Sequence, residues 1–573
     1  MNSLVLSIYL VAVAVTSSPA AIYEITPDSI RRHIEVIAHD SIEGREVGSE
    51  GERKAATYLI DVFKRAHLIS RGTSIGPDGD TTYLQPFDFT KAIDLGEDNR
   101  LVVNGIELEL HDEFLPLHQS ASMAFEFDTV IYAGYGITTD SVDGIYDDYA
   151  GLDIDGKAVI VKRFSPPDTA YPDVRFQRYA FLTYKINEAI RRGAAGVFFV
   201  TPITDDDTLA SVGPTRVSPK DVPVVFMRRK GLERLGVDLK QPALGHVEGQ
   251  TELLTTPDTG YNVIGYLPGR SDTTVVVGAH YDHLGWGGPG SRYRGQEPMV
   301  HNGADDNGSG TAVMLELARY FAGKEEPPRY SMLFAGFSGE EHGILGSSHY
   351  ASHMTIDPSK VRMMVNLDMV GRLKDQEGLV VFGTGTADEF KEYFDTLTVD
   401  RFKLIHKESG IGASDHTAFY TKGIPVLFFF TGAHQDYHTP SDDVHLIDFE
   451  GTADVAAFVA ETIEYFNSVE QPLEFQRTKS EGGRHSQRFS VTLGIMPDFI
   501  AEVKGLRIDA VSPERPGERA GLLQGDIIIK MDDTRVGDIY DYMTALGRYR
   551  KGDTAMVVIQ RDTDTLSLEV IFE

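Results

Sequence analysis

Eight residues with metal-binding or proton-carrying side chains fall in five short stretches of this sequence. "VVVGAHYDH" ends an apolar run with His280 and, two residues on, Asp282. "HNGADDNGSG" offers Asp305 and Asp306 just ahead of a helix start. "FAGFSGEEHG" sets Glu340 and Glu341 side by side, "VNLDMVG" gives Asp368, and "QDYHTPSDD" gives His438. Imidazoles and carboxylates together are ligands for a metal such as zinc. In the adjacent pair, one Glu would hold the metal while the other moves a proton. Taken singly, each residue has an ordinary structural reading. A lone His is usually a core or surface residue, "SDD" is a turn, and Asp305, Asp306 or Asn307 can cap the following helix. Five ligand-type residues, each following a strand or preceding a helix, favour the metal site.

Such residues can meet only if the intervening elements bring them together. "TTVVVGAH", "YSMLFAGFS", "KVRMMVNLD" and "GIPVLFFF" are nearly continuous apolar runs, the pattern of parallel strands buried on both faces. "GSGTAVMLELARYFAG" and "EGTADVAAFVAETIEYF" supply covering helices. The fold class is therefore α/β, a doubly wound, mostly parallel sheet. Open sheets of this kind place their sites outside the carboxyl ends of the strands, where His280, Glu340, Glu341 and Asp368 fall. Ahead of this region, Thr26 and Pro27 start one helix and "GSEGERKAATYLIDVFKRAHL" forms a second, with Ala56, Leu59, Ile60 and Phe63 on one face.

The remaining chain divides by texture. Residues 1–20 read as a signal peptide, with the apolar core Leu4–Val15 and a cut after Ala20. Residues 21–111 are the N-terminal part of the main domain, and 112–256 are a β-rich insert with one clear helix. The main domain resumes over 257–470, a polar linker covers 471–488, and a small module closes the chain over 489–573. The expected setting is export to a periplasmic, cell-surface or extracellular site, with no integral membrane span after signal removal. With 573 residues and 41% apolar content, two to four domains are expected. The 54 basic and 86 acidic residues give a net charge of −32, which argues against a nucleic-acid partner. No cysteine is present, so disulfides, thiolate zinc sites and a cysteine nucleophile are excluded. The one Gly-x-Ser-x-Gly match, residues 72–76, falls in the Gly/Asp-rich turn "GTSIGPDGDTT" rather than at a strand-to-helix elbow, which leaves a covalent route little support.

The order His-x-Asp, Gly-Ala-Asp-Asp-Asn-x-Ser-Gly, Gly-Glu-Glu-x-Gly-x-x-Gly-Ser, Asn-x-Asp-Met and Tyr-His-Thr resembles the two-zinc aminopeptidases. That family includes glutamate carboxypeptidase II and the metal-less transferrin receptor. The resemblance covers about 258–467 plus the N-terminal helices. It implies two Zn2+ ions bridged by Asp306, with His280 and Asp368 completing one and Glu341 and His438 the other. Choosing Asp306 over Asp305 rests on this resemblance, which also implies a cis peptide at Asp306–Asn307. Asp282 would orient His280, and Tyr437 would stabilise the tetrahedral intermediate. Neighbouring side chains diverge, so Glu340 does not share the ion of Glu341. It would be the general base, passing a proton from the attacking water to the leaving amine. The implied activity is an exopeptidase, an aminopeptidase first, acting on peptides or proteins.

The insert is similar to a protease-associated domain on "YDDYAGLDIDGKAVIVKR", "INEAIRRGAAGVFFV" and "VPVVFM", and would shape access to the cleft. The C-terminal module resembles a PDZ domain on "VTLGIMPDF" and on Ala520, Gly521, Leu522, Gly525 and Asp526. Such a domain takes a peptide C-terminus through backbone N–H groups and strand addition, although Pro497 removes one pairing donor. A carboxypeptidase or dipeptidase could use the same zinc site, with Arg292, Arg294 or Arg372 receiving a carboxylate. Glutaminyl cyclase chemistry and a non-catalytic binding role are the further alternatives, and the complete ligand set argues against both. His283, His342 and His416 lie near the motifs without an assignable role.

Overall fold

The computed structural model describes residues 23–478 and 491–572, apart from 140–143, 167–169, 172–173, 175, 177–178, 204, 206, 208–218, 289, 294, 296, 498–504, 512–514, 537–541, 543–544, 547 and 562–563. The expected signal segment and most of the linker lie outside the described residues.

The main domain is built on a nine-stranded sheet. Its centre consists of Tyr330–Phe337, Ser271–His280, Val361–Leu367 and Val426–Phe430, all parallel to one another. Antiparallel strands flank it, Leu253–Leu267 on one side and Leu379–Phe382 on the other. The apolar runs explain this arrangement directly, since every residue of Tyr330–Phe337 is buried. Alternate side chains of Ser271–His280 enter different cores. Val275, Val277 and Ala279 meet the helices Pro27–Ile37, Glu50–Arg65, Gly310–Ala322 and Phe449–Ser468, while Val276 meets Leu345–Ser352 and His416–Tyr420 on the opposite face. Burying both faces removes apolar surface from water on each side of the sheet and places it at the centre of the domain. Thr26 caps the first helix with Pro27 at its first position.

The β-rich insert leaves and rejoins the main sheet through paired strands, Leu84–Leu95 against Leu253–Leu267. It contains a five-stranded and a four-stranded sheet packed on a common core that includes Leu101, Phe125, Ile160, Phe198 and Val225. Arg100–Val103 pairs with Val247–Thr251, so chain ahead of residue 112 joins these sheets. The C-terminal module is an antiparallel sheet, Ile495–Pro497, Leu506–Val511, Ile527–Met531, Thr554–Arg561 and Asp564–Ile571, with its own core. Its first pairing slips register between Met496 and Pro497, where the proline cannot donate.

Candidate metal centre

The parallel register brings the functional side chains to one edge. His280 ends its strand level with Phe337, Glu340 and Glu341 follow on the turn beyond Phe337, and Asp368 follows Leu367, which pairs with Phe429. His438 arrives from the loop after Val426–Phe430, with φ of 58°. Asp306 lies on the turn Ala304–Ser309, which feeds the helix Gly310–Ala322, and the peptide bond from Asp306 to Asn307 is cis.

Around Asp306 the donors fall into two groups. Oδ1 of Asp306 lies 3.5 Å from His280 Nε2, and His280 Nε2 lies 3.4 Å from Asp368 Oδ1. Oδ2 of the same carboxylate lies 3.2 Å from His438 Nε2, which is 3.1 Å from Glu341 Oε2. His283 joins the second group, its Nδ1 2.8 Å from Glu341 Oε1 and 3.8 Å from Asp306 Oδ2. His280 Nε2, Asp306 Oδ2 and Asp368 Oδ1 are buried without a hydrogen-bond partner, although buried polar atoms are normally satisfied. Ligands about 2.0–2.2 Å from a tetrahedral ion stand about 3.3–3.6 Å apart. The first group, at 3.4–3.5 Å and with unpartnered atoms, fits an ion on both counts. The second, at 2.8–3.8 Å, straddles that spacing, with His283 hydrogen-bonded to Glu341, and shares the unpartnered Asp306 Oδ2.

Contacts behind these donors fix their orientation. His280 Nδ1 lies 3.3 Å from the Asp282 carbonyl and 3.6 Å from its carboxylate, which also accepts the Glu340 N–H at 3.2 Å. His438 Nδ1 faces the Gly290 carbonyl at 2.9 Å, which leaves Nε2 for the centre. The Asp442 carboxylate accepts the N–H groups of Asp305 and Asp306. Asn307 ties the turn to the strand end, donating to Leu367 O and accepting from Gly310 and Met369 N–H.

So many buried carboxylates perturb one another. Burial opposes charge on His280, but Asp368 and Asp282 outweigh it and push its pKa well up. His438 is raised in the same way against burial, chiefly by Glu341. Burial would lift Glu341, yet His438 and His283 hold it well below the ordinary carboxylate range. Glu340 has no such partner and is pushed well up by burial, with Glu341 and Asp368 adding to it against His280.

The other residues singled out in the sequence lie elsewhere or serve otherwise. Asp305 points away from both groups, accepting from Ser309 and the Gly371 N–H, with His434 Nε2 at 3.2 Å. Neither aspartate caps the helix, whose N-cap position is Ser309 without a side-chain capping bond; Asn307 accepts the Gly310 N–H at the helix start. Tyr437 is half-buried and stacks on His438, ring centroids 3.8 Å apart. Arg372 is paired with Asp436 at 2.6 Å, and Arg292 donates to the Tyr437 carbonyl. Arg294 lies outside the described residues. His416 is stacked on Phe428, and burial pushes its pKa down to about 3. His342 lies 3.8 Å from Glu46. His283, left without a role by its sequence context, reaches the centre. Its spacing of three from His280 was the available signal. Asp442 had none beyond an ordinary turn.

Residues 262–463 match the sequence profile described as "Peptidase family M28", and residues 485–572 match that of the PDZ domain. A protein named "Probable leucine aminopeptidase" from Trichophyton verrucosum (strain HKI 0517) is 32% identical over 221 residues, covering 36% of this chain and 56% of that protein. Aminopeptidase YwaD of Bacillus subtilis (strain 168) is 31% identical over 292 residues, covering 47% and 57%. The chain thus spans a little over half the length of these relatives. Among solved structures, an aminopeptidase from Aneurinibacillus sp. strain AM-1 aligns over 81% of this chain and 98% of its own, at 21% identity and a TM-score of 0.45.

Proposed function

Starting from a chain that carries a peptidase family M28 domain and a C-terminal PDZ domain, we propose that this protein is an exported zinc-dependent aminopeptidase. The observation that carries the reading is the Asp306 carboxylate, with one oxygen toward His280 and the other toward His438. His280, Asp306 and Asp368 would hold one zinc, and Asp306, Glu341 and His438 the second. Bound there, a zinc pair would lower the pKa of a water and polarise the scissile carbonyl.

The rest of the chemistry belongs to this chain's own side chains. Glu340 accepts the proton of the attacking water and returns it to the departing amine. Its backbone is pinned by Asp282, which also faces His280, so base and ligand share one support. Tyr437, stacked on His438, donates its hydroxyl to the developing oxyanion. Arg372 is already engaged by Asp436, which favours recognition of a free amine over a substrate carboxylate. The aminopeptidase names of the relatives point the same way.

The insert, which the strand Arg100–Val103 extends ahead of residue 112, acts as a protease-associated domain that shapes access, and the PDZ domain takes a peptide C-terminus. The apolar run Leu4–Val15 supports export, and no helix among the described residues is long and apolar enough to cross a membrane.

The test compares free, N-acetylated and C-amidated peptides with metal-free and zinc-reconstituted protein. Zinc-dependent release of N-terminal residues, blocked by acetylation and indifferent to amidation, is the expected result. Cleavage that survives acetylation but needs a free C-terminus would move the assignment to a carboxypeptidase.

A further inference from the structure

Among the described residues, Arg45 heads the largest fully buried side chains, outside the segment matched to the peptidase family. It stands at the end of the turn Asp40–Arg45, ahead of the helix Glu50–Arg65. Three successive left-handed residues, Glu43, Gly44 and Arg45 with φ of 56°, 64° and 44°, shape this turn. Gly44 is required there, because a Cβ would lie 2.5 Å from the Gly285 carbonyl and 2.6 Å from that of His301. The turn touches the His280 strand end through its own backbone, where Gly44 O accepts from Gly285 N–H and Arg45 O from His283 N–H.

The guanidinium points the other way, into the loop that presents Asp306. Nη1 donates to Asn302 O and, at 3.4 Å, to Ile37 O. Nη2 donates to Gly303 O at 2.7 Å and to Asp306 O at 3.3 Å. All four acceptors are main-chain carbonyls rather than carboxylates. Burial lowers its pKa to about 10, with Asp306, Asp282, Asp442 and Glu341 resisting, so it remains a cation. A buried charge is expensive, and the planar fork of arginine suits several fixed acceptors at once.

We propose that Arg45 is a positioning residue of the metal centre: its guanidinium gathers the carbonyls of Asn302, Gly303 and Asp306 so that the Asp306 carboxylate is aimed between both ligand groups. This rests on the two-zinc reading above. Because Asp306 serves both groups, loss of Arg45 weakens both sites together. Electrostatics alone would act in the opposite direction, since deleting a cation beside two cation sites strengthens metal attraction.

The test is calorimetric titration of zinc into metal-free wild type, Arg45→Met and Arg45→Lys, with melting temperatures of the metal-free proteins recorded in parallel. Arg45→Met should lose about 10–100-fold in affinity at both sites, the range seen when outer partners of ligands are removed. Arg45→Lys, which keeps the charge but lacks the fork, should also bind both ions more weakly than wild type, and it carries the test if Arg45→Met does not fold. A lower melting temperature with unchanged zinc affinity would reduce Arg45 to a fold-stabilising role and overturn the proposal. Tighter zinc binding by Arg45→Met, or loss at one site alone, would overturn it equally. Absence of zinc binding by wild type would overturn the two-zinc reading and this proposal with it, whereas wild-type binding matched by both variants would sink the proposal alone.

Discussion

Replacing Glu316 by Gln should cost about 3 kcal/mol at pH 7 and almost nothing at pH 2. Glu316 lies on the helix Gly310–Ala322, nearly two turns beyond its start, and its side chain is fully buried. One oxygen meets His33 Nε2 at 2.8 Å and Arg319 Nη1 at 2.7 Å; the other accepts from the hydroxyls of Ser29 and Tyr23, both at 2.5 Å. Burial would raise this carboxyl, but the hydrogen bonds from His33, Ser29 and Tyr23 outweigh it and hold the pKa at about 2 instead of 4.5. At about 1.4 kcal/mol per pH unit, that interval is worth about 3 kcal/mol. The depressed pKa makes this stability fully present above pH 4.5 and lost as pH falls toward 2, leaving about 1.4 kcal/mol at pH 3 and under about 0.5 kcal/mol at pH 2. Urea unfolding of wild type and Glu316→Gln, followed through the single tryptophan, Trp286, in the same domain, measures the gap at each pH. A gap that stays constant from pH 7 to pH 3 would refute the reasoning, because the cost would then come from packing rather than from the carboxylate.

Glu340→Gln should lower kcat by about 10²–10⁴-fold while zinc content, measured by elemental analysis, stays that of wild type; loss of an ion would instead make Glu340 a ligand. Gly303→Ala should lose about 1–3 kcal/mol. Its φ is 53°, and a Cβ would stand 2.1 Å from Asp306 O and 2.5 Å from the His283 ring. A melting temperature equal to that of wild type would show that the loop yields freely.

The sheet was legible because strands buried on both faces must be apolar throughout, and "YSMLFAGF" or "VVVGAH" has few other uses. Most of the candidate ligands were legible because they sit within a few positions of a strand end or helix start, where the topology converges them; His438 lies eight residues past Phe430, and the choice of Asp306 over Asp305 rested on the family resemblance. The supports are another matter. Arg45 and Asp442 act on the 302–306 loop from positions more than 250 and about 135 residues away in the chain. Their residue types suggest only a surface arginine and a turn aspartate. Likewise, Arg100–Val103 gives no local sign that its partner is Val247–Thr251. What a side chain reaches across a fold is set by backbone path and burial, as the left-handed turn at 43–45 shows, and a one-dimensional pattern does not carry that.

In the proposed centre one carboxylate, that of Asp306, stands between two zinc ions. Anomalous diffraction at the zinc edge from zinc-loaded crystals should then show two peaks flanking Asp306, one beside His280 and Asp368 and the other beside Glu341 and His438. A single peak, or peaks that leave Asp306 uncoordinated, would contradict it.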